Sequence, residues 1–590
     1  MNPASLLRAL SIQHGGLAIV VVLLSAGWAH ANPIEVPLDN IGPRWLGAQW
    51  HDNLGWTVQD PGDLNGDGLG DFVVSAPQDD GPLTFESTVQ IYFGRTDVPT
   101  EQVYADWYDV RVSDGKVGGD AVFQFSVIPD ATGDGNADLL VVEPKAAKAG
   151  KVLLHAGGGN QWPTQLSANQ AIARWDGYLQ DELDLIPPQT RPSRALGGDF
   201  DNDQISDIVI VSELLHRAWI QYSSASYAGT TSLDQVTTVI TECTDEVPGS
   251  EFGEDALVAD FNNDSLADLA ISAPGCADNE GRVFIWYGSA TGLASSPDLS
   301  IPGGEFLGGS LAHGDLNGDG TDDLFVQERL APSEDDPNRE DRGNLWVFFG
   351  TSSGLTETPD FKFIGGFSDR RFGASSAVLR DISSPADGLP DLAISAPEAA
   401  YDGVGQGAVY IFEGRDEWPA ELTTNDALYR IVGSQRDGWF GASISSVQDF
   451  DGNGYDELLI GEPNYTEGGT ENDFQRGRMY LFNALPDRDE DGDAISTLAG
   501  DCDDTDSSVR PTAAEVCDGI DNNCNYQIDE GCDEGDDDDS APTSDDDDSE
   551  PVPEGCQCDA SLGATSSGLS LWVALFAALG VRRYWARYTE

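Results

Sequence analysis

The sequence predicts an all-β fold, a seven-bladed β-propeller, on three observations. An acidic loop of nine residues recurs seven times, starting at Asp63, Asp130, Asp199, Asp260, Asp315, Asp381 and Asp449, at spacings of 55 to 69 residues. Each loop leads into a short apolar run, and a second run containing aromatics follows. No long segment between residues 32 and 485 has the 3.6-residue periodicity of a helix. Short strands at a fixed long period point to radial repetition, because a closed ring of four-stranded blades leaves only short, protected edges. An open β-solenoid uses shorter repeats.

The elements follow in order. The runs after the loops are residues 72–76, 139–142, 208–211, 269–273, 324–326, 392–396 and 458–460. The aromatic runs are 89–93, 152–155, 219–222, 283–287, 345–349, 408–412 and 479–482, and several end in glycine, as at Gly94, Gly288, Gly350 and Gly414. Runs of this length bounded by turn residues read as strands. The last repeat meets Asp-rich sequence from Asp487, so its outer strand is missing, and residues 34–37 are the candidate to close the ring.

The loops have the composition of cation sites. In the first, Asp63, Asn65, Asp67 and Asp71 stand at positions 1, 3, 5 and 9, with Gly68 at position 6. Alternating oxygen ligands with a glycine at the sharp turn are what a calcium loop needs. The fifth, Asp315, Asn317, Asp319 and Asp323, is as good. The second has Asp130, Thr132, Asp134 and Asp138. The third has Asp199, Asp201, Asp203 and Asp207, but Gln204 replaces the glycine. The fourth has Asp260, Asn262, Asp264 and Asp268, with Ser265 at the turn, and the seventh has Asp449, Asp451, Asn453 and Glu457. The sixth departs: it is two residues longer, with Pro385 inside, and only Asp387 and Asp391 remain as candidates. Carboxylates crowded in one loop repel each other unless a hard cation neutralises them, and oxygen ligands favour calcium over soft metals. The expected ions are several Ca2+ in structural roles, with affinities on the order of 10⁻⁴ to 10⁻³ M.

The unit resembles the FG-GAP repeat of the integrin α-subunit N-terminal propeller. Its first mark stands at Leu54-Gly55, Phe252-Gly253, Leu307-Gly308, Phe372-Gly373 and Phe440-Gly441. Its second stands at Ala76-Pro77, Ala273-Pro274 and Ala396-Pro397, with Glu143-Pro144 and Glu462-Pro463 as variants. The resemblance covers about residues 34–485 and implies seven blades with calcium loops on one rim.

With 30 basic against 103 acidic residues the formal net charge is −73. That balance argues against a nucleic-acid partner. Residues 1–31 read as a secretory signal: Arg8, an apolar stretch at 17–24, then Ala29-His30-Ala31. The propeller takes residues 32–485, and its two cysteines, Cys243 and Cys276, are expected to pair in an oxidising compartment. Residues 486–532 form a Cys/Asp-rich module similar to the MopE-type metal-binding repeat. Asp487, Asp489 and Asp491 open it, and Asp521, Asn523, Asn525 and Asp529 repeat the 1/3/5/9 spacing, with Tyr526 in place of glycine. Calcium ranks above copper there, since the segment has no histidine. Its cysteines, Cys502, Cys517, Cys524 and Cys532, allow three connectivities. Residues 533–555 are a self-repelling acidic linker, with twelve acids between 533 and 554. Residues 556–590, with Cys556, Cys558, an apolar run at 569–581 and three arginines, resemble the MYXO-CTERM sorting signal; a plain C-terminal membrane anchor is the other reading.

Three functions are open at this stage. The first is a surface adhesion or ligand-binding module, not an enzyme, taking a surface protein or a glycan and acting as a monomeric propeller. The second is a secreted polysaccharide-acting enzyme. Its one motif, Gly-x-Ser-x-Gly at residues 350–354, lacks the following helix of a nucleophile elbow, so Ser352 reads as a turn residue. The third is a structural surface-layer component. Trp107, Tyr108, Trp162 and Trp175 are either a sugar platform or packing between blades. All three place the propeller outside the cytoplasm, at a bacterial cell surface or outer envelope.

Overall fold

The computed structural model describes residues 33–483 apart from short loop segments, of which 78–86, 114–123, 179–190, 332–341, 381–387 and 467–474 are the longest, and scattered residues between 507 and 524. The signal, linker and sorting segments lie outside the described residues.

Seven antiparallel sheets form the blades, each a meander whose first strand adjoins the first strands of its neighbours around the axis. Blade 1 is Val58–Gly62, Asp71–Ala76, Thr88–Tyr92 and Val110–Ser113. Blade 2 is Gln124–Ile128, Asp138–Glu143, Lys151–His155 and Ala173–Asp176. Blade 3 is Arg194–Gly198, Asp207–Ser212, Arg217–Gln221 and Thr238–Ile240, and blade 4 is Ala256–Ala259, Asp268–Ala273, Arg282–Trp286 and Leu299–Pro302. Blade 5 is Leu307–Gly314, Asp323–Ala331, Arg342–Phe348 and Phe361–Ile364, and blade 6 is Ser376–Leu379, Asp391–Ala396, Ala408–Phe412 and Tyr429–Val432. Blade 7 takes Ile444–Val447, Glu457–Glu462 and Arg478–Asn483 from the end of the ring, and its outer strand from the beginning.

That closing strand is Arg44–Leu46, antiparallel to Arg478–Asn483, and not residues 34–37. The expectation was right about the N-terminal segment and wrong about the residues. Ile34–Val36 pairs instead in parallel with Tyr429–Val432 of blade 6. Trp45 decides the matter: it is fully buried between Phe72, Tyr92 and Phe450, where a small residue would leave a void.

Each blade junction buries its own apolar cluster, such as Phe363, Phe372, Tyr410 and Phe412 between blades 5 and 6. The FG mark works here. Leu54, Phe252, Leu307, Phe372 and Phe440 have no exposed surface. The glycine that follows has positive φ, between 81° and 99°, which lets the chain turn. At Gly253, Gly373 and Gly441 its N–H donates to the carbonyls of Ser272, Ser395 and Gly461, each two residues before the Ala-Pro or Glu-Pro proline. The variants are also explained: buried Glu143 pairs with Lys151 at 2.6 Å, and buried Glu462 accepts from the Tyr480 hydroxyl at 2.6 Å.

Neighbouring blades are joined in one of two ways. Among the described residues, five outer strands carry a short parallel strap contributed by the next blade: Gln102–Tyr104 on blade 7, Gln165–Ser167 on blade 1, Gly229–Ser232 on blade 2, Glu421–Thr423 on blade 5 and Ile34–Val36 on blade 6. Where the connection between third and fourth strands is shorter, at 287–298 and 349–360, it folds as a Gly-x-x-x-Gly turn. The residue after that turn donates its N–H to a tyrosine of the preceding blade: Leu293 to Tyr222 and Leu355 to Tyr287, both at 2.8 Å. Ser352 therefore sits in a latch turn, as its sequence context predicts. The disulfide Cys243–Cys276 adds a covalent tie between blades 3 and 4.

Replacing Trp45 by Ala should cost about 3–5 kcal/mol in urea unfolding. A loss under about 1 kcal/mol would mean that Arg44–Leu46 does not close the ring.

Candidate metal centre on the loop rim

The seven loops join first to second strands and so share one rim. Their shape comes from their own carboxylates. The position-1 aspartate accepts backbone N–H groups from the far side of its loop. Asp63 takes Gly66, Asp67 and Gly68 at 2.7 to 3.1 Å. Asp130 takes Gly133, Asp134 and Gly135 at 2.6 to 3.1 Å. Asp199, Asp260, Asp315 and Asp449 do the same with the N–H at position 6. Position 3 and 5 side chains cap the next amides, as Asn65 does for Asp67 and Asp67 for Leu69.

This winding needs positive φ at position 6, and the substituted loops keep it: Gln204 at 69° and Ser265 at 68°, against 95° at Gly68. The sequence counts both loops as candidates despite the missing glycine, and they are built like the others, with backbone strain at a position-6 residue that has a Cβ.

Position 9 has a second role that the sequence does not announce. Asp71, Asp138, Asp207, Asp268, Asp323, Asp391 and Glu457 have no exposed surface. One carboxylate oxygen accepts the N–H of position 2: Leu64, Ala131, Phe200, Phe261, Leu316 and Phe450, at 2.7 to 3.1 Å. The other accepts the N–H just past the third strand: Gly94, Gly157, Ser223, Gly288, Gly350 and Gly414, at 2.7 to 2.9 Å. Those glycines recur because a Cβ there would strike loop backbone: at Gly350 it would lie 2.2 Å from the Asp322 carbonyl oxygen. Asp391 keeps the half of this clasp that holds Gly414, while Asp381 and Asp387 lie outside the described residues.

Burial pushes the clasp carboxyls up, and the loop's other acids add to it: Asp71, Asp207, Asp268 and Asp323 to about 7, Asp138 to about 6 and Glu457 to about 8. A cation beside them would reverse that trend. In loop 3, Asp199, Asp201 and Asp207 bring one oxygen each within 4.8 Å of one another. Asp201 Oδ1 there is buried and accepts no hydrogen bond. Positions 1, 3 and 9 of this loop thus present a compact oxygen set that fits a hard cation.

The loops are chained to each other. The position-8 N–H donates to the position-1 carbonyl of the preceding loop: Ser206 to Asp130, Ala267 to Asp199 and Asp322 to Asp260, at 2.9 to 3.2 Å. Trp162 Nε1 reaches the Leu64 carbonyl at 3.3 Å, so this aromatic is packing on the rim. Trp175 is buried, Tyr108 packs at the junction of blades 7 and 1, and Trp107 is outside the described residues.

Comparison with known proteins agrees with this geometry. The FG-GAP repeat model matches residues 60–92 and 440–476, and an FG-GAP-like repeat model matches 260–326. These are FG-GAP repeats. Residues 60–92, 260–326 and 440–476 thus carry the signature directly, and the other described loops share its geometry. The chain is 32% identical over 250 residues to integrin alpha-PS2 of Drosophila melanogaster, covering 40% of this chain and 16% of that protein. It is 39% identical over 165 residues to integrin alpha-4 of Xenopus laevis, 27% of this chain and 14% of that one. It is also 31% identical over 254 residues to a phosphatidylinositol-glycan-specific phospholipase D of Rattus norvegicus, 40% of this chain and 29% of that one. The chain therefore spans under a third of the length of these relatives. The Cu-binding MopE motif, described as metal-binding, matches residues 501–530.

In that module the described residues are few. Asn522 is buried, its carbonyl accepts from Arg510 N and its side chain from Val516 N, at 2.7 and 2.8 Å. Cys524 is disulfide-bonded. Asn523 is described, while Asp487, Asp489, Asp491, Asp521, Asn525 and Asp529 lie outside the described residues, as do Cys556 and Cys558.

If Gln204 is strained, Gln204→Gly should raise stability by up to about 1 kcal/mol. A loss of stability would mean that the glutamine side chain, not the loop winding, is what the position requires.

Proposed function

We propose that this chain is a calcium-loaded binding module displayed outside the cell, with no catalytic role of its own. The observation that carries the reading is the rim: six loops with one winding, the second to fifth chained by backbone hydrogen bonds, in a propeller matched in part by integrin α chains. In each loop the ion would lie among positions 1, 3, 5 and 9: Asp63, Asn65, Asp67 and Asp71 in the first, and the corresponding residues of loops 2, 3, 4, 5 and 7. Its chemistry there is to neutralise the carboxylates and pin the turn. Oxygen-only donors favour calcium over copper, in the loops and in the MopE-type module alike.

The ligand is a protein or glycan on another surface. A secretory signal at 1–31, an acidic linker at 533–555 and a sorting signal at 556–590 with Cys556 and Cys558 would hold the propeller at a bacterial envelope. Among the described residues no helix is long and apolar enough to cross a membrane. The match to a phospholipase D favours a second reading as an accessory domain of a lipid- or glycan-acting enzyme. The match covers under a third of that enzyme, so it carries the fold and not the chemistry.

Calcium should raise the melting temperature by several degrees at millimolar concentration, and chelator should remove the gain. An equal melting temperature in both would refute structural calcium. The pH dependence has a defined sign. Without metal, the folded clasp carboxyls hold protons up to about 7 that the unfolded chain releases near 3.8. Metal-free stability should therefore fall as pH rises from 5 to 8, and the calcium gain should grow over the same range. Binding of the protein to its own and foreign envelope fractions, with calcium and with chelator, tests the adhesive role. Saturable calcium-dependent binding supports it; none in either condition, with the fold intact by circular dichroism, favours a structural surface component.

A further inference from the structure

The straps follow a pairing rule that two blades break. One place on each outer strand is fixed by register against the third strand. It holds Arg44, Arg111, Arg174, Lys362 and Arg430 in blades 7, 1, 2, 5 and 6. These are the five strapped blades, and the strap residue facing each base is polar: Gln102, Gln165, Thr230, Glu421 and Glu35. Glu35 makes an ion pair with Arg430. In the two blades without a strap the same place holds Val239 and Ser300.

Among the described residues, nothing pairs with the outer edge of either blade. The segments that would supply straps, 287–298 and 349–360, are described throughout and are committed to the tyrosine latches. Unpaired N–H and C=O groups on a sheet edge are a template for another strand. Blade 4 is guarded: its edge strand ends in Pro302, which has no N–H to give. Blade 3 is not. Thr238–Ile240 has no proline, and Val239 is 40% exposed.

We propose that the outer edge of blade 3 is a docking strand for an extended segment of another protein. The segment adds in parallel, as the straps do, and places a β-branched apolar residue opposite Val239 where the strapped blades place Glu, Gln or Thr. Asp234, in the 3-10 turn before the edge strand, and Glu242, two residues after it, flank the edge along the chain, and the net charge is −73, so the segment has Lys or Arg beside the paired residues. Main-chain hydrogen bonds supply the affinity and the residue opposite Val239 supplies the choice. This names a partner for the binding role above, yet it requires no calcium, so the envelope experiment and this one can fail separately.

The test uses the full chain and a labelled peptide, Lys-Thr-Val-Thr-Val-Lys, read by fluorescence polarisation, with a version carrying proline at its third residue as control. The wild type should bind the first peptide saturably and not the second, with amide exchange slowed at residues 238–240. Val239→Lys, which installs the base that five other blades carry, should weaken binding at least tenfold and gain preference for a peptide with glutamate at the third residue. Ser300→Val should leave binding unchanged. Absence of saturable binding by the wild type, or equal binding by Val239→Lys with its fold intact by circular dichroism, overturns the proposal. Concentration-dependent self-association that Val239→Lys abolishes also overturns it, because the edge would then be covered by a second copy.

Discussion

The ring depends on one buried carboxylate per blade. In the first five blades its two oxygens hold two different backbone segments of the same blade, the start of the loop and the turn past the third strand, while Asp391 holds the turn and Glu457 the loop start. Because the group is fully buried, its charge is costly, and the neighbouring acids at positions 1, 3 and 5 make it more so. The loop is thus a structure whose hydrogen bonds are in place but whose electrostatics call for a cation. The position-8 amide then passes that order to the preceding loop, so a local ion would act on the packing of blades.

Closure shows a second constraint, the length of chain available beyond the third strand. Connections such as 93–109 and 156–172 are long enough to lay a strap along the preceding blade or the one before the ring closes, while 287–298 and 349–360 reach only as far as a tyrosine hydroxyl. The N-terminal segment serves both needs of blade 7. Arg44–Leu46 completes its sheet and Ile34–Val36 is its strap onto blade 6. The chain's beginning is therefore woven into two blades, not one.

Much of this was legible beforehand. Seven loops that open on Asp and close on an acid, with runs of β-branched residues, announce strands, turns and their number, since the signal is repeated and local. The pairing of Cys243 with Cys276 also followed from the count of propeller cysteines. The straps did not show, because segments such as Gln165–Ser167 have three residues, too few for a period-2 pattern. Their partners are also remote: Glu35 and Arg430 lie 395 residues apart. Choosing residues 34–37 over Arg44–Leu46 as the closing strand was an error of the same kind. The clasp was hidden for a different reason. An aspartate that accepts two amides and one that ligates a metal look alike in sequence, and only burial separates the roles. Gln204 and Ser265 were legible only as departures from the glycine preference; six hydrogen-bonded acceptors around the loop hold a strained residue where a lone turn would not.

The central claim is that the loops are cation sites whose ions lock a clasp already formed by the chain. A crystal structure of the protein soaked in a lanthanide, with anomalous data, tests it most directly. The account predicts anomalous peaks inside the loops, bounded by oxygens of positions 1, 3, 5 and 9, with Asp199, Asp201 and Asp207 around one of them and the clasp hydrogen bonds unchanged. Empty loops at millimolar ion, or peaks confined to the outer acidic surface, would contradict it.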